Sequence, residues 1–165
     1  GGCRVERACA GGGVGGQQRG HSAVPAIVTV VAVGLANWAG VTAISAGNYF
    51  SLALLADGTV TGWGNTEDGR GEIPANATDV VAISAGWQFS LALKSDGTVV
   101  AWGCNDYGEC DVPGDLADVV AIAAGERHSV AVRADGSAVV WGNNEYGQWN
   151  MPAGLANVAT ISAGG

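Results

Sequence analysis

Residues 80–118 read VVAISAGWQFSLALKSDGTVVAWGCNDYGECDVPGDLAD, and this stretch decides the fold. Val80-Val-Ala-Ile-Ser-Ala85 is an apolar, partly β-branched run stopped by Gly86, which predicts a strand. Phe89-Ser-Leu-Ala-Leu93 alternates, so Phe89, Leu91 and Leu93 share one face and the small Ser90 and Ala92 the other. Ser95-Asp96-Gly97 supplies the positive φ that a tight hairpin needs, and Thr98-Val-Val-Ala-Trp102 is the return strand. Gly103 to Asp118 is rich in Gly, Asn and Asp, and reads as a loop with at most one short further strand.

The same pattern recurs on both sides. Val41–Asp79, Val80–Asp118 and Val119–Asn157 are three units of 39 residues, and Val158–Gly165 begins a fourth. Hairpin pairs fall in step at Asp57-Gly58, Asp96-Gly97 and Asp135-Gly136, and broad anchors at Trp63, Trp102 and Trp141. So many fixed positions at one spacing establish an internal repeat. Helical repeats lack strands and Asp-Gly hairpins, and leucine-rich or β-helical repeats are shorter. Three or four antiparallel strands in ~40 residues is a β-propeller blade. Ser-Ala-Gly at 45–47 and 84–86, with Ala-Ala-Gly at 123–125, suits innermost strands converging on an axis, and the tryptophans fill the space between blades farther out. The fold class is therefore all-β, with three intact blades and partial ones.

Composition agrees. Gly is 28 of 165 residues and charged residues only 13%, which fits short strands joined by glycine turns and argues against a helical bundle. The net charge is −8, and residues 41–165 alone carry four basic against fourteen acidic side chains. A body so acidic repels phosphate backbones and anionic lipid, so neither nucleic acid nor a membrane surface is the expected partner. Residues 1–23 are Gly-rich and show neither period, so they read as an irregular segment preceding the repeat domain at 24–165. Gly11, Gly13 and Gly16 match a dinucleotide-binding spacing, but no strand precedes them and no acidic residue follows at the required distance. The run Ala26–Val33 is too short to span a bilayer and reads as a strand, with a signal-peptide core as the alternative.

The pattern V-x-A-I-x-A-G-x-x-x-S-[LV]-A-[LV]-x-x-D-G-x-[VA]-x-x-W-G-x-N-x-x-G-x-x-x-x-P resembles the regulator of chromosome condensation repeat. Thr66 stands where the other units have Asn105 and Asn144. The likeness covers 41–165, weakly 24–40, and is closest to the short bacterial repeats of the β-lactamase inhibitor protein II type. It implies a propeller, usually seven-bladed, used as a binding scaffold. The plant ultraviolet-receptor branch clusters tryptophans in a Gly-Trp-Arg-His-Thr motif; here Trp87 is followed by Gln88-Phe89. Chromatin binding and nucleotide exchange on a small GTPase do not carry over to so acidic a body.

No catalytic constellation is visible. His128 takes the slot of Phe50 and Phe89 and reads as a packing residue, and a nucleophile elbow, a zinc His pair and a Walker loop are all absent. Asp106, Glu109 and Asp111 lack a calcium-loop pattern and read as solvated surface, so no metal or cofactor is expected. Cys104 and Cys110 lie six apart in one loop, which suggests a disulfide across it and, with the low Lys content, an extracellular location; two free thiols are the alternative.

The positions that differ between units carry the functional expectation. After each Ala-Gly come Asn48-Tyr49, Trp87-Gln88 and Glu126-Arg127; after each Trp-Gly come loops holding Glu67-Asp68, Asp106-Tyr107 and Glu145-Tyr146. Variable Trp, Tyr and Arg at loop tips are typical interface anchors. By the inhibitor resemblance, both loop sets ring one face and meet a protein partner. The plain alternative is surface drift between degenerate repeats, and Tyr107 and Tyr146, sharing a slot, could be structural. The expected function is a non-enzymatic protein-binding scaffold, with a lectin-like carbohydrate or small-ligand module as the second reading. Three blades cannot close a ring, so the chain is expected to be a fragment of a longer propeller or to self-associate.

Overall fold

A computed structural model describes residues 40–164. It contains nine strands: β1 (Val41–Ala46), β2 (Phe50–Leu55), β3 (Val60–Gly64), β4 (Val80–Ala85), β5 (Phe89–Lys94), β6 (Val99–Gly103), β7 (Val119–Ala124), β8 (His128–Arg133) and β9 (Ala138–Gly142). They form three separate antiparallel meanders in the orders β1-β2-β3, β4-β5-β6 and β7-β8-β9. Each 39-residue unit is thus one three-stranded blade, and the region after each third strand is loop, with one 3-10 turn at Glu67–Gly69. Each inner strand carries a bulge at its start, between Val41 and Ala43, Val80 and Ala82, and Val119 and Ala121. The irregular segment 1–23, the strand read at 26–33 and the weak repeat over 24–39 lie outside the described residues.

The hairpins form where the Asp-Gly pairs stand. Gly58, Gly97 and Gly136 adopt φ of +79°, +78° and +79°. Each preceding Asp accepts from the backbone two residues on: Thr59 N–H at 3.0 Å, Thr98 N–H at 3.0 Å and Ser137 N–H at 2.8 Å. The neighbouring Thr59, Thr98 and Ser137 hold all three carboxyls below their ordinary range, the two threonines donating from hydroxyl as well as backbone.

Alternation within the strands builds the core between blades. Phe50, Leu52 and Leu54 of the first blade pack against Ala92 and Trp102 of the second. Phe89, Leu91 and Leu93 of the second meet Ala131 and Trp141 of the third in the same way. One face of every blade is therefore large and aliphatic-aromatic, and the other is small apart from its tryptophan. The buried indoles also close a polar bond across the seam. Trp102 Nε1–H donates to the Arg70 carbonyl at 3.1 Å, and Trp141 Nε1–H to the Glu109 carbonyl at 2.9 Å. The hydroxyls of Ser90 and Ser129 donate to those same two carbonyls.

Residues 158–164 follow the repeat in position but form no strand. Val158 N–H donates to the Gly136 carbonyl at 3.1 Å, just as Val80 does to Gly58 and Val119 to Gly97. In the intact units the inner strand is defined by its ladder to the second strand, and 158–164 has no such partner among the described residues.

Candidate functional site

Strand geometry gathers the variable loops at one end. Each first strand ends where the second begins, and Phe50, Phe89 and His128 pair with Gly64, Gly103 and Gly142 at the end of the third. The loop after Ala-Gly and the loop after Trp-Gly must therefore leave from the same edge, opposite the Asp-Gly hairpins. A backbone bond ties the two within each unit: Asn65 N–H to Tyr49 O at 2.7 Å, Cys104 N–H to Gln88 O at 2.9 Å, and Asn143 N–H to Arg127 O at 2.8 Å. A second series ties unit to unit, from Asn48 N–H to Trp87 O, Trp87 N–H to Gly125 O, and Glu126 N–H to Gly164 O. The glycines that precede these loops are obligatory by space. A Cβ on Gly125 would sit 2.5 Å from His128 Cε1 and 2.7 Å from Gly164 O, and Gly47 and Gly86 are as tightly enclosed by Phe50 and Phe89.

At the seam between the second and third blades the site residues converge. Arg127 Cζ lies 5.3 Å from the Trp87 ring centre and 4.9 Å from that of Tyr107. Its Nη1 donates to the Tyr107 hydroxyl at 3.1 Å, and its Nε lies 3.4 Å from Glu126 Oε1. Two units thus contribute one cluster of Trp, Tyr, Arg and Glu, each partly accessible. Tyr107 is engaged across the seam, whereas Tyr146 in the same slot is 83% exposed and Tyr49 77% exposed. Asp68 is held at 2.6 Å by the buried Arg70, and Glu67 caps the same turn through its carbonyl to Arg70 Nε. Gln88 and Asn48 are half-buried, while Asp106 and Glu145 are exposed.

Two corrections concern the loop after Trp102. Cys110 is a free thiol, so the expected Cys104–Cys110 disulfide is not formed; Cys104 is itself disulfide-bonded, but not to Cys110. The Cys110 Sγ instead donates to the Cys104 carbonyl at 3.2 Å, and burial, reinforced by Glu109 and Asp111, pushes its pKa up to about 12. The loop is closed by Asn105, whose Oδ1 accepts from Cys110 N–H at 2.7 Å and whose Nδ2 donates to Asp111. Asn144 does the same for Trp149 N–H in the next unit. Glu109 is the second correction: it is not solvated surface but buried, 3% exposed, with its Oε2 accepting from Tyr107 N–H at 2.8 Å. Among the described residues no three His, Cys, Asp or Glu side chains converge as a metal site.

Burial raises the Glu109 carboxyl above its ordinary range, outweighing the Tyr107 N–H and the nearby Arg127. The folded chain therefore holds this proton more tightly than the unfolded chain. Its contribution to stability is most favourable below the ordinary carboxylate range and declines as pH rises through the folded value. Gln148, one unit later, makes the equivalent bond to Tyr146 N–H at 3.0 Å with no charge. Glu109→Gln is accordingly expected to raise the melting temperature at neutral pH by about 2–4 °C, roughly 1 kcal/mol, and to flatten the melting profile from the ordinary carboxylate range up to neutrality. Thermal melts across that range check both.

Stacked antiparallel blades of one repeating 39-residue unit, with variable loops collected at one end, define a β-propeller repeat protein. The regulator of chromosome condensation (RCC1) repeat matches residues 41–70, 80–109 and 119–148, more than half of the chain, which belongs to that family. Human WBSCR16 is 26% identical with a TM-score of 0.58, over 70% of this chain and 37% of its own length. Yeast RCC1 (Prp20), in a structure with Kap60, is 23% identical with a TM-score of 0.58, over 75% and 40%. The ectodomain of the receptor kinase CR4 from Physcomitrella patens is 21% identical with a TM-score of 0.62, over 75% and 33%. The chain thus spans 33–40% of the length of these structures. A search of curated protein sequences finds no match.

Proposed function

We propose that this chain is a non-enzymatic scaffold that binds a protein partner through the loop end of its blades, in an inhibitor-like manner close to the short-repeat β-lactamase inhibitor protein II type. The observation that carries this reading is Arg127 packed over the Trp87 and Tyr107 rings, with Glu126 beside it. Trp, Tyr and Arg are the side chains most often responsible for binding energy at protein interfaces, and here they are pre-arranged and partly open to solvent. One relative, seen in two structures, supports the class of partner: yeast RCC1 (Prp20p) is described with its binding to Gsp1p and histones, and with Kap60 bound.

The second reading is a carbohydrate or other small polar ligand. It draws on a cavity of about 440 Å³ at the third blade, where Glu126, His128, Asn143, Tyr146 and Gln148 converge. Trp87→Ala and Arg127→Ala discriminate the two. Under the protein-binding reading each weakens the affinity for the partner recovered by pull-down by about thirtyfold or more, a hot-spot effect, with the melting curve unchanged. Partner affinity indifferent to both, together with glycan-array binding lost in Tyr146→Ala, would replace this reading with the second.

A further inference from the structure

Both ends of the blades are acidic, but only one pairs its acids with aromatic rings. The hairpin end carries Asp57, Asp96 and Asp135, each already accepting bonds from its own turn, with Lys94 and Arg133 nearby and ion-paired to Asp96 and Asp115. Among the described residues no aromatic side chain stands there. At the loop end Glu67, Asp106 and Glu145 are exposed among Tyr49, Tyr107, Tyr146 and Trp149, all exposed as well. The two cations of the described loop end are already engaged. Arg70 is buried against Asp68, and Arg127 is held by Glu126 and two rings.

Arg127 is also a demonstration of what this end recognises. A guanidinium over two aromatic rings, with a phenol oxygen as acceptor and a carboxylate beside it, is a complete arginine site, built from residue types that stand exposed elsewhere on the same surface. Resting on the loop end being the binding face, we propose that its partner is a cationic protein segment, whose arginine and lysine side chains seat on the exposed tyrosines and between the flanking carboxylates. The attraction has two components that salt separates. Carboxylate steering is screened beyond about 10 Å at 0.1 M salt, whereas contact of a cation with a ring face persists.

The test is a two-dimensional amide NMR titration of the full chain with three soluble probes: an arginine–glycine repeat peptide, a glutamine–glycine repeat and a glutamate–glycine repeat. The arginine peptide is expected to shift the amides of 48–49, 87–88, 106–107, 126–127 and 145–146 and leave the hairpin end in place. The triple variant Glu67→Gln, Asp106→Asn, Glu145→Gln weakens its binding about tenfold at low salt, and Asp115→Asn at the hairpin end less than about twofold. Tyr49→Ala with Tyr146→Ala weakens it several-fold at about 0.15 M salt, where steering is screened.

No shift with the arginine peptide, shifts spread over both ends, or equal weakening by the triple variant and Asp115→Asn each overturn the proposal. If the glutamine or glutamate peptide moves the loop-end amides and the arginine peptide does not, the cationic partner is excluded while the loop end stands as a binding face. Shifts confined to the hairpin end with every peptide remove both.

Discussion

Trp102→Ala is expected to cost about 3–5 kcal/mol of stability, enough to consume much of what a domain of this size has. The indole is 8% exposed, lies in the seam between the first two blades, and donates to the Arg70 carbonyl. Removal leaves a cavity between two sheets that are each pinned by their own ladders and close poorly over the gap. Trp102→Phe separates the contributions: it keeps most of the buried ring and loses the hydrogen bond, for a cost of about 1–2 kcal/mol. Trp63 occupies the corresponding slot but is 41% exposed, so Trp63→Ala is expected to cost less than half as much. Urea denaturation of the three variants, with slopes compared to confirm a common unfolding transition, decides the ranking. Equal losses at Trp63 and Trp102 would show that the seam is not where the tryptophans act.

Gly86→Ala is expected to be nearly as damaging, although it adds one methyl group. The new carbon would sit 2.7 Å from the Gly125 carbonyl oxygen and 2.9 Å from Phe89 Cδ1, and closer still to Cε1 of that ring. Neither neighbour can yield cheaply. The Gly125 carbonyl accepts Trp87 N–H at 3.2 Å across the seam, and Gly86 N–H is bonded to the Phe89 carbonyl at 2.9 Å. Overpacking relieved only by shifting backbone costs about 1–3 kcal/mol, and here it also separates the second blade from the third. The internal control is Gly114→Ala, where no atom lies within 4 Å of the added carbon. That variant is expected to be neutral or stabilised by up to about 1 kcal/mol through the unfolded chain. The pair of melting temperatures therefore tests a claim about space and not about glycine as such.

The blades were legible because each depends on chemistry confined to a few neighbouring residues. Asp96-Gly97 makes its turn with its own backbone, and Phe89, Leu91 and Leu93 share a face by strand alternation alone. What escaped reading spans unit boundaries. Arg127, Trp87 and Tyr107 lie 20 to 40 residues apart and meet only because adjacent blades are set side by side; each was individually a candidate, but their union needs the blade spacing. The slot held by Arg70 and Glu109 left no trace either, since its structural service is rendered by a main-chain carbonyl that any residue possesses. The Cys104–Cys110 pairing failed for a related reason. Proximity in sequence suggested a bond, while Asn105 already closes that loop and leaves the Cys110 thiol facing a carbonyl.

The relay from Asn48 to Trp87, Gly125, Glu126 and Gly164 has an evolutionary corollary. It joins blade to blade at the binding end using amide hydrogens and carbonyl oxygens alone, at 3.1, 3.2 and 3.1 Å. These bonds make no demand on the side chains at 48, 87 and 126, and selection can rewrite them one at a time while the main-chain relay stays in place. Asn, Trp and Glu already occupy the three copies. A lineage that duplicates this unit inherits a ready-made mounting with an interchangeable tip, so new specificities can arise by point substitution at the register where the architecture is indifferent to identity.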